Sequence, residues 1–435
     1  MWRAFGPQRL TTGDPIRVRK HQTPVRVGGR GTASRSVRGV PQPPAIHDVA
    51  VVGLGLVGAA ALRYLSAPET GLKCVGVGPA EPVEWSSHTG VFASHYDSGR
   101  ITRKLDRRRE WAILAARAIE AYRGIEAAAG IAFHTPAGVV MAEVDPERIA
   151  AVMSVADALH VDYERLRPDD VGDDRIVVPA GSTVLREPPP GGFIDPRRML
   201  AAQLAICAQQ GADTRSTHVV DVASGRDGAW SLQCADGSTV SARRVVLAAG
   251  PHADELNGLS RRPLIDVVAE TVVLARVSAE ERLHLTDLPS IIVDDVADHF
   301  YIVPPTEYPD GETYVKLGAT RHAPSVLTPE QRRPWMTGTR HEADLEWLRA
   351  LLLGVLPGLH AEAWSTKPCL IPDTPTKLPY IEIVEPGLVM AVGTNGYAAK
   401  SADAIGSLAA GLVVNGRWTD AELDQESFRL ISRDQ

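Results

Sequence analysis

The sequence predicts a two-domain α/β protein in which helices cover a parallel sheet and a second domain is built on an antiparallel sheet. Residues 49–52 form a short, unbroken apolar run, typical of a buried parallel strand, and a glycine turn and an Ala-rich helical run follow it. A second apolar strand, residues 240–247, ends in a turn of small residues. Strands and turns then alternate over residues 262–330, which favours an antiparallel sheet.

The length and composition are those of a globular protein with two or three domains. The 435 residues include no uncharged apolar stretch of about 18 residues, so we expect no transmembrane helix and no membrane partner. The four cysteines form no CxxC pair, so we expect neither a metal site nor a disulfide framework, and a reducing, cytoplasmic location. These cysteines are Cys74, Cys207, Cys234 and Cys369.

Charge divides the chain into a basic start and an acidic remainder. Residues 1–44 hold nine Arg or Lys side chains and one Asp, a net charge of +8, and because the whole chain carries −7, the remainder carries −15. The basic segment has no apolar core and no periodicity. This favours a disordered extension over a targeting segment or a nucleic-acid-binding arm. The acidic remainder argues against nucleic acid as the main partner.

The first structured unit has the spacing of a nucleotide-binding turn. Gly53, Gly55 and Gly58 follow the first strand in the pattern G-x-G-x-x-G, and a helix begins directly after the turn. Glycine allows the backbone to approach a pyrophosphate closely, and the helix directs its N-terminal N–H groups at it. The motif therefore predicts a dinucleotide site. The alternative that it leaves open is a doubly wound domain that binds nothing at this turn.

The second strand, residues 74–77, ends without the acidic residue that usually binds the adenosine ribose. Gly78 occupies that position, and Glu81, three residues later, is the nearest replacement. The ribose contact is therefore not assigned by this part of the sequence.

The other elements follow from periodicity and turn residues. A polar loop leads to an amphipathic helix that starts at Glu110, and a Pro-Ala-Gly turn predicts a hairpin over residues 130–143. Residues 160–192 are expected to be irregular. The further helices are expected at 146–159, 197–210, within 329–357 and at 402–414, and the further strands at 217–222, 229–234, 265–277, 290–294, 300–304, 313–317, 364–371 and 379–392.

Two stretches outside the first turn are candidate anion sites. Arg100 and Arg103 lie three residues apart in the polar loop, and Lys400 stands in a glycine-bearing turn, residues 393–400, just before the last helix. The alternatives are ordinary solvated arginines and a plain surface lysine.

Four blocks in this order resemble the flavin amine oxidases of the sarcosine oxidase and N-methyltryptophan oxidase group, in the D-amino acid oxidase-like superfamily. The resemblance runs from about residue 47 to residue 415. The blocks are VAVVGLGLVGAA, SGRITR, VVLAAGPHADEL and the C-terminal pair KPCLIPDTPTKLPYI and GTNGYAAKSA. No single block is decisive, but the set in this order is specific to the superfamily.

The resemblance implies a bound FAD. It implies that Cys369 matches the cysteine that members of the group attach to the flavin through a thioether, which would make the flavin covalent. The cofactor-binding residues that it implies are Gly53, Gly55, Gly58, Arg100, Arg103, Ala249, Gly250, Cys369, Gly393, Gly396, Tyr397 and Lys400.

The resemblance also implies three catalytic residues, Lys316, Arg100 and Lys400. Lys316 matches a lysine associated with the reaction of the reduced flavin with oxygen, Arg100 would lie near the flavin or the substrate, and Lys400 matches a lysine that binds the substrate carboxylate. Thr320 departs from the group, whose members have a histidine there, so the resemblance does not identify the substrate.

The reaction implied is oxidation of an amino acid or secondary amine by hydride transfer to flavin N5, followed by imine hydrolysis and reoxidation by O₂ with release of H₂O₂. The alternatives are a flavin dehydrogenase with another electron acceptor, a non-catalytic nucleotide-binding protein and an NAD-dependent enzyme. The oligomeric state is not predicted. The expected FAD-binding domain comprises residues 45–95, 196–260 and 365–420, the substrate domain 96–195 and 261–364, and a C-terminal tail 421–435.

Overall fold

The structure is a computed structural model that describes residues 46–433 except 172, 226–227, 296–298 and 321–324. The predicted N-terminal extension, residues 1–44, lies outside the described residues.

The described residues form eight α-helices, nineteen strands and five short 3₁₀ helices. The helices are α1 (Leu56–Leu65), α2 (Arg109–Ala129), α3 (Pro146–Ala158), α4 (Pro196–Gln209), α5 (Ala279–His284), α6 (Pro329–Thr337), α7 (Leu345–Val355) and α8 (Ala398–Asn415). The strands are β1 (Ile46–Val52), β2 (Cys74–Val77), β3 (Arg100–Thr102), β4 (His134–Thr135), β5 (Val139–Glu143), β6 (Glu164–Leu166), β7 (Thr183–Glu187), β8 (Gly192–Ile194), β9 (Asp213–Arg215), β10 (Val219–Ser224), β11 (Trp230–Cys234), β12 (Thr239–Leu247), β13 (Asp266–Val277), β14 (Ser290–Asp294), β15 (His299–Glu307), β16 (Thr313–Thr320), β17 (Ala361–Asp373), β18 (Tyr380–Glu385) and β19 (Leu388–Val392). The 3₁₀ helices are Pro68–Thr70, Pro168–Asp170, Gly250–Glu255, Arg340–Asp344 and Gln425–Phe428.

The first sheet has eight strands and a parallel centre. Its order is β10-β11-β12-β1-β2-β9, with β19 beside β12 and β18 beside β19. β1 runs parallel to β2 and β12, and β12 runs parallel to β19. Val49 and Val51 pack into one apolar cluster, and Ala50 and Val52 pack into another, so both faces of β1 are covered. This double coverage explains the unbroken apolar run and confirms the predicted parallel sheet.

The second sheet also has eight strands, in the order β17-β13-β16-β15-β14-β5-β7-β6. Its pairs are antiparallel except for β14 with β5, which confirms the predicted antiparallel sheet. A third, small sheet has the order β3-β8-β4.

The hairpin predicted over residues 130–143 is wrong. β4 pairs with β8, whereas β5 lies between β14 and β7 in a different sheet. Both edges of the apolar strand β5 find partners that are distant in sequence, so the Pro-Ala-Gly turn connects two sheets rather than two paired strands. The prediction that residues 160–192 are irregular is also wrong, because this segment contains β6, β7 and the start of β8.

The last helix packs closely on the first. A Cβ atom at Gly406 of α8 would lie 2.6 Å from the backbone nitrogen of Ala61 in α1, so the glycine permits this approach. α8 also begins earlier than predicted, at Ala398, which places Lys400 inside its first turn.

The division into two domains stays a prediction, and one of its boundaries falls inside an element. β17 crosses the boundary expected between residues 364 and 365, and along its whole length it pairs with β13 of the second sheet. Among the helices that the structure describes, none is long and apolar enough to cross a membrane.

Candidate active site

A cavity of ≈ 360 Å³ opens next to the turn between β1 and α1. The segment after β12 and the start of α8 also line it, so its wall draws on distant parts of the chain. Crevices at the carboxyl ends of parallel strands are the usual ligand sites of such sheets. Seven of the residues predicted to bind a cofactor line this cavity: Gly53, Gly55, Arg100, Ala249, Gly250, Cys369 and Gly396.

The glycine turn has two different physical requirements. A Cβ atom at Gly53 would lie 2.4 Å from the Ala248 carbonyl oxygen, and one at Gly58 would lie 1.8 Å from the Gly53 oxygen, so these two glycines allow tight packing. At Gly55 the nearest atom to a Cβ is 3.7 Å away, on His95. The space that a side chain of residue 55 would fill is therefore available to a ligand.

The N-terminus of α1 is available to an anion. No side chain caps it, and its first turn contains no acidic residue. The unpaired N–H groups and the positive end of the helix dipole favour a phosphate here. Together with the open space at Gly55, this end of the helix fits a pyrophosphate.

The end of β2 offers no carboxylate to the cavity. A Cβ atom at Gly78 would lie 2.4 Å from the backbone nitrogen of Leu54, so a side chain does not fit there. Glu81 lies outside the cavity wall, and Arg197 holds both of its oxygens at 2.7 Å. The replacement considered from the sequence is thus already paired.

Arg100 and Cys369 meet in the cavity wall. Nη2 of Arg100 lies 3.3 Å from Sγ of Cys369 and 3.2 Å from the Ser94 carbonyl oxygen. Burial alone would lower the pKa of Arg100, but Cys369, Tyr301 and Asp97 raise it well above its ordinary value. A charged guanidinium thus lies directly beside the Cys369 thiol.

Lys316 lies behind this pair rather than in the cavity wall. Its buried ammonium donates to the carboxylate of Asp97 and to the Gly99 carbonyl oxygen, the latter at 2.8 Å. Burial and the charge of Arg100 lower the pKa of Lys316 to about 8, against the opposing effect of Asp97.

Asp97 connects Lys316 to the cavity. Oδ2 of Asp97 lies 3.0 Å from Nε of Arg100, and Oδ1 accepts a hydrogen bond from the Tyr308 hydroxyl at 2.7 Å. Burial opposes ionisation, but Lys316 and Arg100 hold the pKa of Asp97 well below its usual range. A second cavity, of only ≈ 10 Å³, lies beside this group, with Asp97, Arg100 and Cys369 in its wall.

Lys400 and Arg103 form a separate buried cluster around Asp106. Oδ2 of Asp106 lies 2.6 Å from Nζ of Lys400 and 3.1 Å from Nη1 of Arg103. Tyr397 lies next to both cations, 4.7 Å from the Lys400 ammonium and 5.8 Å from the Arg103 guanidinium, measured to the ring centre. These three predicted site residues do not line the cavity, and neither do Gly58 and Gly393.

Sequence reasoning missed both buried carboxylates. Asp97 lies three residues before Arg100, and Asp106 lies three residues after Arg103. This regular spacing of charges in the polar loop was the available signal, because residues three apart can pair within one turn of chain. Within the described ranges, no three His, Cys, Asp or Glu side chains converge to hold a metal ion.

Residues 48–412 match the sequence profile of the family described as "DAO: FAD dependent oxidoreductase". The chain belongs to the DAO family. This match confirms the predicted superfamily, an enzyme function and FAD as the cofactor, and it rules against the NAD-dependent and non-catalytic alternatives.

Solved structures show the same fold as this DAO family member. NikD, an unusual amino acid oxidase essential for nikkomycin biosynthesis, is similar with a TM-score of 0.69 and 22% identity over 89% of this chain and 98% of that chain. Iminodiacetate oxidase from Chelativorans sp. BNC1 has a TM-score of 0.66 and 20% identity, covering 88% and 98%. L-Proline dehydrogenase from P. horikoshii has a TM-score of 0.65 and 16% identity, covering 86% and 95%.

The cavity of this DAO family member fits FAD. The open space at Gly55 and the uncapped N-terminus of α1 suit the pyrophosphate, and apolar and small residues form most of the wall. When bound, FAD supplies the redox chemistry, and the protein supplies orientation and charge.

Proposed function

We propose that this enzyme oxidises an amino acid or a secondary amine with O₂ as the electron acceptor. The substrate loses a hydride from the carbon next to nitrogen and a proton from nitrogen. Water then converts the resulting imine to a carbonyl compound and an amine. O₂ takes up the two electrons and two protons and is released as H₂O₂. Bound FAD would supply the acceptor of this hydride, at flavin N5. The oxidase activities in the names of NikD and iminodiacetate oxidase, which have this fold, support the proposal.

The observation that carries the proposal is the pairing of Arg100 and Cys369 in the cavity wall. We assign this part of the wall to the flavin ring. Arg100 holds a fixed positive charge there, and Cys369 is the proposed point of covalent attachment, because its sulfur is both in the wall and next to that charge.

Lys316 is assigned the reaction with oxygen. Negative charge develops on O₂ as it is reduced, and a fixed, buried cation stabilises such charge without having to reorganise. Lys316 and Arg100 share one carboxylate, that of Asp97. The three side chains together therefore keep an excess positive charge when all of them are ionised.

The same ion pair favours a second candidate function. Asp97 holds the Lys316 ammonium directly and cancels part of its charge, which would slow the reaction with O₂. The second candidate is therefore a dehydrogenase of the same substrates that transfers electrons to another acceptor. L-Proline dehydrogenase, by its name, is a dehydrogenase with this fold.

Lys400 remains the proposed ligand of a substrate carboxylate, with a specific requirement. Its ammonium is paired with Asp106, so an incoming carboxylate would have to replace Asp106 as its partner. Thr320, at the position where the resemblance expects a histidine, donates its hydroxyl to Glu270 at 2.7 Å. The substrate screen described next therefore includes both carboxylated and uncarboxylated amines.

The decisive experiment is a screen of the purified enzyme with N-methyl amino acids, D-amino acids, cyclic imino acids and simple amines. Peroxide release is measured in air, and bleaching of the flavin absorbance is measured without oxygen. An oxidase produces peroxide in proportion to the substrate consumed. A dehydrogenase bleaches without oxygen, forms little peroxide and turns over only with an added electron acceptor. If no compound of these classes bleaches the flavin, the proposed substrates are wrong.

A further inference from the structure

The adenosine half of FAD lacks its usual partner in this protein. In dinucleotide-binding sheets a carboxylate at the end of the second strand usually binds the ribose. Here Gly78 occupies that position without room for a side chain, and Glu81 is paired with Arg197 outside the cavity wall. A carboxylate for the adenosine half therefore has to come from another part of the chain.

Glu255 is the one acidic residue among the described residues that line the cavity. It is the last residue of the 3₁₀ helix Gly250–Glu255, which follows β12 directly. Its side chain is 29% exposed and lines the cavity, so it is not enclosed in the protein.

The carboxylate of Glu255 is held by one oxygen only. Oε1 lies 2.9 Å from Nδ1 of His252 and 2.6 Å from Nη1 of Arg332. Arg332 is itself fully buried and forms two bonds with Asp254, at 2.6 and 2.8 Å. Within the part of the chain that the structure describes, Oε2 of Glu255 accepts no hydrogen bond. One oxygen thus orients the group and the other is available to a donor.

Glu255 lies at the same end of the cavity as the end of β2. The N–H group of Gly78 donates to the carbonyl oxygen of Arg215 at 3.0 Å, and His218, only three residues later, lines the cavity. Three residues span at most about 10 Å. His218 interacts electrostatically with Glu255, and the N–H group of Asn257 donates to the Val220 carbonyl oxygen at 3.2 Å. A short stretch of chain therefore joins the two positions.

We infer that Glu255 binds the adenosine half of FAD, with Oε2 accepting a hydrogen bond from a ribose hydroxyl or from the adenine amino group. It supplies from the segment after β12 the contact that Gly78 cannot supply from β2. The inference rests on FAD as the cofactor of the family and is independent of the substrate proposed above.

The test compares FAD with FMN, which lacks the adenosine half. The variant Glu255→Gln keeps its amide oxygen facing His252 and Arg332, so that an NH₂ group replaces Oε2 and a donor replaces the acceptor. All variants carry Cys369→Ser, so that the flavin can be removed and exchanged. Dissociation constants of FAD and FMN for the apoprotein are measured from the quenching of flavin fluorescence, and Glu81→Gln is the matched control.

We expect Glu255→Gln to weaken FAD binding about 10- to 100-fold, the range for a lost hydrogen bond to a charged group, and to leave FMN binding unchanged. Glu81→Gln should change neither constant. An equal loss of FAD and FMN binding would show that Glu255 only supports the fold, and a larger loss in Glu81→Gln would assign the contact to Glu81. Either result overturns the inference, as does unchanged FAD binding.

Two FAD analogues identify the donor. Flavin inosine dinucleotide lacks the adenine amino group, and the 2′,3′-dideoxyadenosine analogue lacks the ribose hydroxyls. The parent protein should bind one of them less tightly than FAD, and Glu255→Gln should abolish that difference. If the parent binds both analogues as tightly as FAD, Glu255 does not bind the adenosine half.

Discussion

The ammonium of Lys400 lies 2.6 Å from Oδ2 of Asp106, and both side chains are almost completely buried. Arg103 shares the same oxygen at 3.1 Å, so this carboxylate pairs directly with two buried cations. The contact also joins the first turn of α8 to the segment that precedes α2. Asp106 is therefore expected to stabilise the fold strongly, whatever its effect on the substrate.

Replacing Asp106 with Asn should lower the free energy of unfolding by about 3–5 kcal/mol, because Lys400 and Arg103 lose their buried counter-charge. Urea denaturation of the two proteins measures the difference. Asp170→Asn is the control, since Asp170 pairs with Arg167 on the exposed surface, and its unfolding midpoint should not change measurably. Equal effects of the two substitutions would contradict this account of the cluster.

The stability that Asp106 contributes should be lost at acid pH. Burial alone would raise the pKa of this carboxyl group, but Lys400 and Arg103 lower it from 3.8 to about 2. Because the pKa is lower in the folded protein, the contribution is complete above the unfolded value and is lost as the pH falls from 3.8 toward 2. Between these values the free energy of unfolding of Asp106→Asn should decrease less steeply than that of the parent protein.

Replacing Lys400 with Met should separate substrates by charge. If Lys400 binds a substrate carboxylate, KM for an amino acid should rise about 10-fold or more, because a hydrogen bond between charged groups is lost. KM for the corresponding amine without the carboxylate should stay the same. Steady-state kinetics with such a substrate pair gives both values. A purely structural lysine would lower the unfolding midpoint and leave the ratio of the two KM values unchanged.

Replacing Lys316 with Met should slow the reaction of the reduced enzyme with O₂ by about 100-fold, the effect of removing one preorganised charge partner. Reduction by substrate should change little. Stopped-flow mixing of reduced enzyme with oxygenated buffer measures the first rate, and anaerobic mixing measures the second. Lys377→Met, which removes an exposed cation, is the control. An unchanged oxidation rate in the Lys316 variant would exclude the role assigned to this lysine.

Replacing Cys369 with Ser should remove the covalent attachment of the flavin. Acid precipitation of the parent protein should leave the yellow colour in the pellet, because a thioether survives denaturation, whereas the variant should lose it to the supernatant. Cys234→Ser, at a buried thiol outside the cavity wall, should behave like the parent. If the parent protein itself releases all of its flavin, Cys369 is not the attachment site.

Two alanine substitutions in the glycine turn should have different effects, one on stability and the other on FAD binding. Gly58→Ala places a Cβ atom 1.8 Å from the Gly53 oxygen, so it should lower the thermal midpoint of the apoprotein. Gly55→Ala meets no atom closer than 3.7 Å, so the apoprotein should stay stable while FAD binding weakens. Thermal unfolding and flavin titration measure the two effects in proteins that also carry Cys369→Ser, so that the flavin can be removed. Equal loss of stability in both variants would contradict the assignment of Gly55 to ligand contact.

The local parts of the site could be predicted and the long-range parts could not. Gly53, Gly55 and Gly58 act within one turn, so their spacing alone indicated the cradle. Asp97 and Asp106 pair with lysines that are 219 and 294 residues away in sequence, and no local pattern specifies such partners. As a result, Lys400 was predicted as a residue of the site, whereas the structure places it beside the cavity with its charge already compensated.

The same distinction between local and long-range contacts explains the errors in the predicted fold. β2 and β14 were predicted with their observed bounds, because each is a short apolar run between clear breaks. β5 was assigned to a hairpin because a turn precedes it, but its two partners are β14 and β7. Strand pairing depends on which strand edges meet in three dimensions. Turn residues indicate only how segments adjacent in sequence are connected.

The wall of the cavity begins at Val52, the last residue of β1, and ends at Ala399, in the first turn of α8. During synthesis the ribosome therefore releases the glycine turn long before α8, the helix that packs on α1 through Gly406. A nascent chain has the phosphate cradle without the rest of the pocket. Cofactor loading is consequently expected to follow translation of α8, because the wall of the pocket is incomplete without the start of this helix.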